Sequence, residues 1–249
     1  MPERAGIVEE NLRRGRGARS NRSSRFDVDS RADFDDGWET LGTLDAFRTT
    51  VHAETAKSII STNDSPDLSF DQSINPYRGC EHGCIYCYAR PTHSYLGHSA
   101  GLDFETQLYA KVNAAELLER ELGKPHYVPK TIALGAVTDP YQPIERNLKL
   151  TRQILEVLER TGHPVGIVTK SAGVVRDVDI LARMAERGLV KVALSVTTLD
   201  PQLARSMEPR AASPSKRIEA IKRLSEAGIP VTVMVADRKS TRLNSSHSS

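Results

Sequence analysis

Apolar positions recur with a regular period over the second half of the chain. Leu108, Val112, Ala115, Leu118 and Leu122 fall on one helical stripe, with Asp103 placed to cap its start and Gly123 and Pro125 to stop it. The stretch 131–137 is apolar on both faces, as a buried parallel strand is. Ile144, Leu148, Thr151, Leu155 and Leu158 then predict a helix closed by Gly162 and Pro164, followed by a strand over 165–169. Val174, Val178, Leu181 and Ala185 mark a third helix, closed by Gly188, before a strand over 190–196. Ser213 caps a fourth helix with Pro214 in its first turn and Ile218, Ile221 and Leu224 facing inward. A last strand covers 231–235, and a weaker one, interrupted by Asp71 and Gln72, falls within 68–74. Repeated β–α units of this length predict an α/β fold with five parallel strands and right-handed crossovers. An open doubly wound sheet and a partial (β/α) barrel both satisfy the pattern.

The first 50 residues follow a different rule. Residues 1–25 carry seven arginines against three glutamates, whereas 26–40 carry six acidic residues against Arg31, with Phe26, Phe34 and Trp38 scattered among them. So little apolar surface cannot offset the entropy of ordering the chain, which predicts an unstructured, charge-segregated tail over 1–50 and a folded core over 51–236. The alternation of arginine and glycine also fits an arm that grips nucleic acid. At the other end, Asp237 to His247 has neither apolar period nor turn logic, and its reverse translation resembles a sequencing-library adapter read in frame. Residues 237–249 are therefore expected to be a non-native tail, with the native sequence running on past Ala236 and the core cut short.

Composition narrows the classes. With 39% apolar and 27% charged residues the chain reads as a soluble globular protein, and a net charge of +2 argues against a general polyanion binder while leaving room for local charge asymmetry. No run approaches the ~18 apolar residues of a membrane span. The N-terminus lacks the apolar segment of a secretory signal, so a cytoplasmic location is expected. The three cysteines all fall between positions 80 and 87. An odd number crowded into one loop is no disulfide framework, and it places thiolate chemistry at a single point in a reducing compartment.

Those cysteines stand in the string Asn75-Pro76-Tyr77-Arg78-Gly79-Cys80-Glu81-His82-Gly83-Cys84-Ile85-Tyr86-Cys87-Tyr88-Ala89-Arg90. Soft thiolates select zinc or iron–sulfur clusters. Three cysteines with no fourth anywhere fit a [4Fe–4S] cluster with one iron left open. The competing reading is a zinc site closed by His82, His93 or His98, in a non-catalytic zinc-loop module that binds nucleic acid through the N-terminal arm. His82 itself is expected to face solvent or a backbone carbonyl.

The spacing of Cys80, Cys84 and Cys87, with Tyr86 before the last cysteine, resembles the signature of the radical S-adenosylmethionine (radical SAM) superfamily. The longer string resembles the branch related to spore photoproduct lyase and its DNA repair photolyase-like relatives. The resemblance covers about residues 66–236. It implies a partial parallel (β/α) barrel with the cysteine loop after its first strand. It implies a [4Fe–4S] cluster on Cys80, Cys84 and Cys87 whose open iron binds SAM. It also implies an electron from a partner such as flavodoxin or ferredoxin, and a 5′-deoxyadenosyl radical that abstracts hydrogen from substrate. The substrate is left open, with a nucleic acid or a protein side chain within range. Truncation would leave such a barrel with about five strands.

Ligands of parallel β–α folds gather at the carboxyl ends of the strands. Thr138 and Asp139 after the second strand, Lys170 after the third, and Ser195, Thr197 and Thr198 at the fourth interrupt apolar runs there. Asp139 or Thr138 is a candidate for the SAM ammonium, Lys170 for its carboxylate, and Ser195 and Thr197 for ribose or carboxylate. Tyr86, by the resemblance, would lie near the adenine. Each has a plainer use as a strand-end cap, and Arg205, Glu208 and Arg210 lie in a loop on the same rim that either lines a substrate site or, the preferred reading, is simply solvated. Tyr77 and Tyr88 would shield the cluster or line the substrate path. In one respect the chain departs from the spore photoproduct lyase group: Val137-Thr138 stands where that group carries a hydrogen-donating cysteine, which argues against dimer reversal by that route. Tyr77, Tyr88 and Tyr141 are the candidate substitutes.

Overall fold

The structure, a computed structural model, describes residues 16–18, 21, 48–68 and 70–235. The aromatic residues Phe26, Phe34 and Trp38 and the segment 237–249 lie outside the described residues. Among the described residues nine strands form two sheets. The larger is built from β2 (Ile60–Thr62), β3 (Gln72–Ile74), β6 (Ile132–Leu134), β7 (Val165–Thr169), β8 (Val190–Ser195) and β9 (Val231–Met234), in that spatial order. From β3 to β9 every pairing is parallel, and only β2 joins antiparallel.

The five predicted parallel strands are thus present, and their order answers the question that periodicity left open. A doubly wound sheet reverses its strand order at a switch point. Here consecutive strands are consecutive neighbours, the winding of a barrel. Ile132, Leu134, Ile167, Val192 and Leu194 are buried and pack on Leu118, Ile154, Leu155, Leu158, Leu181 and Leu224 from the helices. Those helices are α2 (Ala114–Leu122), α4 (Leu150–Thr161), α5 (Val178–Glu186) and α7 (Pro214–Glu226). Among the described residues no helix is long and apolar enough to cross a membrane.

Five expectations are corrected. The stripe from Leu108 to Leu122 is not one helix. Gln107–Lys111 is a strand, β5, in a second sheet between β1 (Thr50–Glu54) and β4 (Tyr77–Arg78). Leu108 and Ala110 alternate inward from it, and helix begins only at Ala114. Asp103 does not cap that helix: its carboxylate accepts from the Ser99 amide and the Asn21 side chain beside a single turn, α1 (Asp103–Thr106). The helix from Ile144 is broken at Lys149, whose φ of 54° separates α3 (Glu145–Leu148) from α4. Finally, 201–207 is a helix rather than loop: α6 (Pro201–Met207), capped by Asp200. In α7, Ser213 caps as expected, but Ile218 is exposed and Arg217 is buried in its stead.

Candidate functional site

The cysteine loop follows β4 and turns twice through left-handed backbone, at Gly79 (φ 75°) and Gly83 (φ 67°). A Cβ at Gly79 would fall 2.6 Å from Leu108 Cδ2 and 2.8 Å from the Phe104 carbonyl oxygen, so glycine is required there on two counts. The buried side chain of Gln142 clamps the loop on both sides of Cys80. Its amide donates to Gly79 O at 3.1 Å, and its carbonyl accepts from the Glu81 amide at 2.9 Å. The Cys80 amide donates to Phe104 O at 2.9 Å. Arg90 donates through Nε and Nη2 to Cys84 O and through Nη2 to the buried Glu105 at 2.6 Å.

Burial dominates the thiols. It pushes Cys80 well up, Cys84 up to about 12, and Cys87 up as well. The positive charge of Lys170 opposes it at Cys84 and Cys87, and that of Arg90 at Cys87. Bare, these are neutral thiols of low reactivity; only a cation's own charge makes them thiolates in such surroundings. That donor set fits a resident cationic centre better than a nucleophile.

Across from the loop, the strand ends form a connected polar rim. Lys170 Nζ donates to Ser195 Oγ at 3.2 Å and lies 5.8 Å from the centre of the Tyr86 ring. The Tyr86 hydroxyl donates to Glu208 and lies 3.1 Å from Thr197 Oγ1, which also donates to Glu208, at 2.7 Å. Glu208 is buried against Arg217, whose guanidinium donates to Ser195 O at 3.0 Å and to Ala212 O at 2.8 Å. Burial raises the Glu208 carboxyl, but the bonds from Tyr86 and Thr197 and the charge of Arg217 outweigh it, so the group is held below its ordinary range and charged. Tyr86, Lys170, Ser195 and Thr197 therefore meet at one place beside Cys84 and Cys87.

Thr138 and Asp139 are turned to other tasks. The Thr138 hydroxyl donates to Tyr77 O at 2.8 Å, and its amide donates to Asn75. Asp139 Oδ1 accepts from Thr169 Oγ1 and the Tyr141 amide; Oδ2 accepts from the Lys170 amide and lies 3.3 Å from His82 Nδ1. Burial would raise Asp139, yet the His82 charge and these donors bring it down to about 2. His82 is thus buried against a carboxylate rather than facing solvent or a carbonyl. Glu208 and Arg210 are not a solvated loop either, for Arg210 donates to Glu81 at 2.9 Å and its amide donates to His82 O. Of the three tyrosines, Tyr77 is buried on Glu145 and Tyr141 is buried, while Tyr88 is exposed and donates to Ala136 O at the rim. Beside His82 opens a cleft of about 460 Å³ lined in part by Tyr141, Arg146, Arg176, Arg210 and Lys216.

Among the described residues the zinc reading finds no fourth ligand in His82, His93 or His98. His82 faces Asp139, His93 Nε2 lies 2.8 Å from Gln107 O, and His98 Nε2 lies 2.7 Å from the Tyr109 hydroxyl. Among the described residues no three His, Cys, Asp or Glu side chains are gathered as one metal ion requires. A cubane, which takes its thiolates on separate irons, asks for a wider spacing.

The fold is that of the radical SAM superfamily, and comparison with known proteins agrees. The radical SAM superfamily pattern matches residues 74–241, and the chain belongs to that superfamily. It is 39% identical over 188 residues to an uncharacterized protein of Mycobacterium tuberculosis, covering 75% of this chain and 55% of that protein. An uncharacterized protein of Methanocaldococcus jannaschii is 32% identical over 174 residues, covering 70% and 62%. The chain thus spans little more than half the length of its mycobacterial relative. Among solved structures, spore photoproduct lyase complexed with dinucleoside spore photoproduct superposes with a TM-score of 0.57 at 18% identity, covering 76% of this chain and 52% of that one. At that identity the likeness is one of fold.

Proposed function

We propose that this chain carries the SAM-cleaving core of a radical enzyme, with Cys80, Cys84 and Cys87 holding a [4Fe–4S] cluster and Tyr86, Lys170, Ser195 and Thr197 holding SAM. One observation carries the reading. Lys170 Nζ, Ser195 Oγ and the Tyr86 ring meet next to Cys84 and Cys87, although they come from the cysteine loop and two different strand ends.

When bound, cluster and SAM together supply a 5′-deoxyadenosyl radical for hydrogen abstraction. The chain's own residues do the rest. Lys170 offers an ammonium donor to the SAM carboxylate, oriented by Ser195. Tyr86 presents its ring to the adenine and is fixed by Glu208 and Thr197. Asp139 and Thr138 are assigned to positioning, since their polar atoms are already engaged: Asp139 ties the end of β7 to His82 in the cysteine loop, and Thr138 ties the end of β6 to Tyr77. The cationic lining of the cleft beside His82 suits a substrate bearing anionic groups, and a small reducing protein such as flavodoxin or ferredoxin is the electron source we assign.

The test is anaerobic reconstitution followed by dithionite and SAM. The reading expects a brown protein with about four irons per chain that releases 5′-deoxyadenosine. A colourless protein holding one zinc and leaving SAM intact would reject it.

A further inference from the structure

Arg16, Gly17 and Ala18 lie inside the stretch whose composition predicts an unstructured arm, yet they are fitted against the cysteine loop. The amides of Gly17 and Ala18 donate to Glu105 Oε2 at 3.0 Å and Oε1 at 2.7 Å. The Glu105 side chain is fully buried and ion-paired with Arg90, the same residue that grips the carbonyl of Cys84, and it also feels the charge of Arg16. Two of the donors that satisfy a buried carboxylate beside the loop therefore come from a segment more than 80 residues away in sequence.

The fit admits no side chain at position 17. A Cβ there would fall 1.7 Å from the carbonyl oxygen of Gly83, a backbone atom that cannot swing aside. Gly83 is bound by the same contact, since its own Cβ would lie 2.8 Å from Glu105 Oε2 and 3.2 Å from the Gly17 nitrogen. Arg16 donates to Glu105 O at 2.9 Å and to Thr49 Oγ1 at 3.0 Å, and Thr49 donates to Glu81 at 2.7 Å. The segment thus acts on Glu81 and Gly83, the two residues between Cys80 and Cys84 that flank His82. Asn21 sets its register through a reciprocal pair with Asp103: Asn21 Nδ2 donates to Oδ1 at 2.8 Å, and the Asp103 amide donates to Asn21 Oδ1 at 3.0 Å.

We propose that Arg16–Ala18, pinned by Asn21, is a strap that holds the cysteine loop in its ligand-presenting form, with Gly17 and Glu105 as positioning residues. The consequence for a cluster rests on the function proposed above; the hold on the loop does not. Without the strap, Glu105 loses two donors, Arg90 shares an under-satisfied carboxylate, and the peptide at Gly83–Cys84 is released to open locally without unfolding the barrel. The N-terminal segment is then part of the cysteine site rather than an appendage.

The test compares the full chain with its Gly17→Val variant, metal-free and under native conditions. It follows alkylation of Cys80, Cys84 and Cys87 by iodoacetamide alongside the urea midpoint. The strap predicts Cys84 alkylation faster by about ten-fold, equivalent to ~1.4 kcal/mol easier opening, at an unchanged urea midpoint. Iron-loaded protein should bleach faster in air by a similar factor. A chain lacking residues 1–18 provides the second arm: a synthetic peptide of residues 10–24 should restore protection, and the same peptide carrying Gly17→Val should not. Unchanged alkylation, or an increase wholly matched by a lower urea midpoint, overturns the proposal. If the alkylation effect appears but the protein takes up no iron, the strap stands and the cluster reading fails.

Discussion

Replacing Arg217 by methionine is the sharpest perturbation of the rim. Arg217 is buried in α7 and holds three acceptors: Glu208, Ser195 O and Ala212 O. Methionine fills similar space but removes the cation that, among the described residues, is bonded to Glu208, leaving a carboxylate that is 1% exposed without this counter-charge. Breaking a buried pair in this way costs about 3–5 kcal/mol, a large share of the ~5–15 kcal/mol that holds a domain folded. Glu208→Gln should cost less, because the neutral amide keeps an oxygen for Tyr86 and Thr197. The double variant should recover about 2 kcal/mol of the Arg217→Met loss, since no charge is then stranded. The assay is urea unfolding of the metal-free full chain followed by circular dichroism, with the midpoint falling and the slope unchanged. The reasoning is refuted if Arg217→Met costs less than ~1 kcal/mol, or if adding Glu208→Gln makes it no better.

Further consequences can be measured separately. Cys80→Ala, Cys84→Ala and Cys87→Ala should each lower reconstituted iron from about four per chain to below one; a variant that keeps its iron excludes that cysteine as a ligand. Lys170→Met should weaken SAM binding by about ten- to a hundred-fold, the worth of one charged hydrogen bond, with iron content intact, and equilibrium dialysis showing equal affinity would remove Lys170 from the site. Burial lowers His93 and His163 below the ordinary imidazole range, so both favour the neutral form in the folded chain. Their contribution is complete above pH ~6.5 and is lost as the pH falls from there through their lower folded values. Thermal melts of the metal-free chain should therefore decline below pH ~6.5, less steeply in His163→Gln, and equal slopes in both proteins would contradict the assignment.

The β–α alternation was legible because each element's period is local. The strands at 165–169 and 190–195 and the cap at Ser213 need only their own residues to be read. Strand β5 was misread because Leu108 and Val112 happen to continue the spacing of α2. What makes β5 a strand is pairing with β1 and β4, across gaps of 57 and about 30 residues. Glu208 and Arg217 were missed because a buried ion pair has no periodic signature. A signal did exist: Arg217 lies three residues before Ala220 and seven before Leu224 on the inward face of α7, and a charge on an apolar stripe calls for a buried partner. Asp200-Pro201 likewise carried the start signal of α6. The docking of Gly17 was invisible to composition, since it depends on fit to one carbonyl oxygen rather than on apolar content.

Electron paramagnetic resonance of the reduced, anaerobically loaded full-length chain, recorded before and after adding SAM, bears most directly on the whole account. If the sulfurs of Cys80, Cys84 and Cys87 leave one iron uncapped, a cubane signal should be present and should change shape when SAM occupies that corner. A cubane signal indifferent to SAM, or no cubane signal at all, contradicts it.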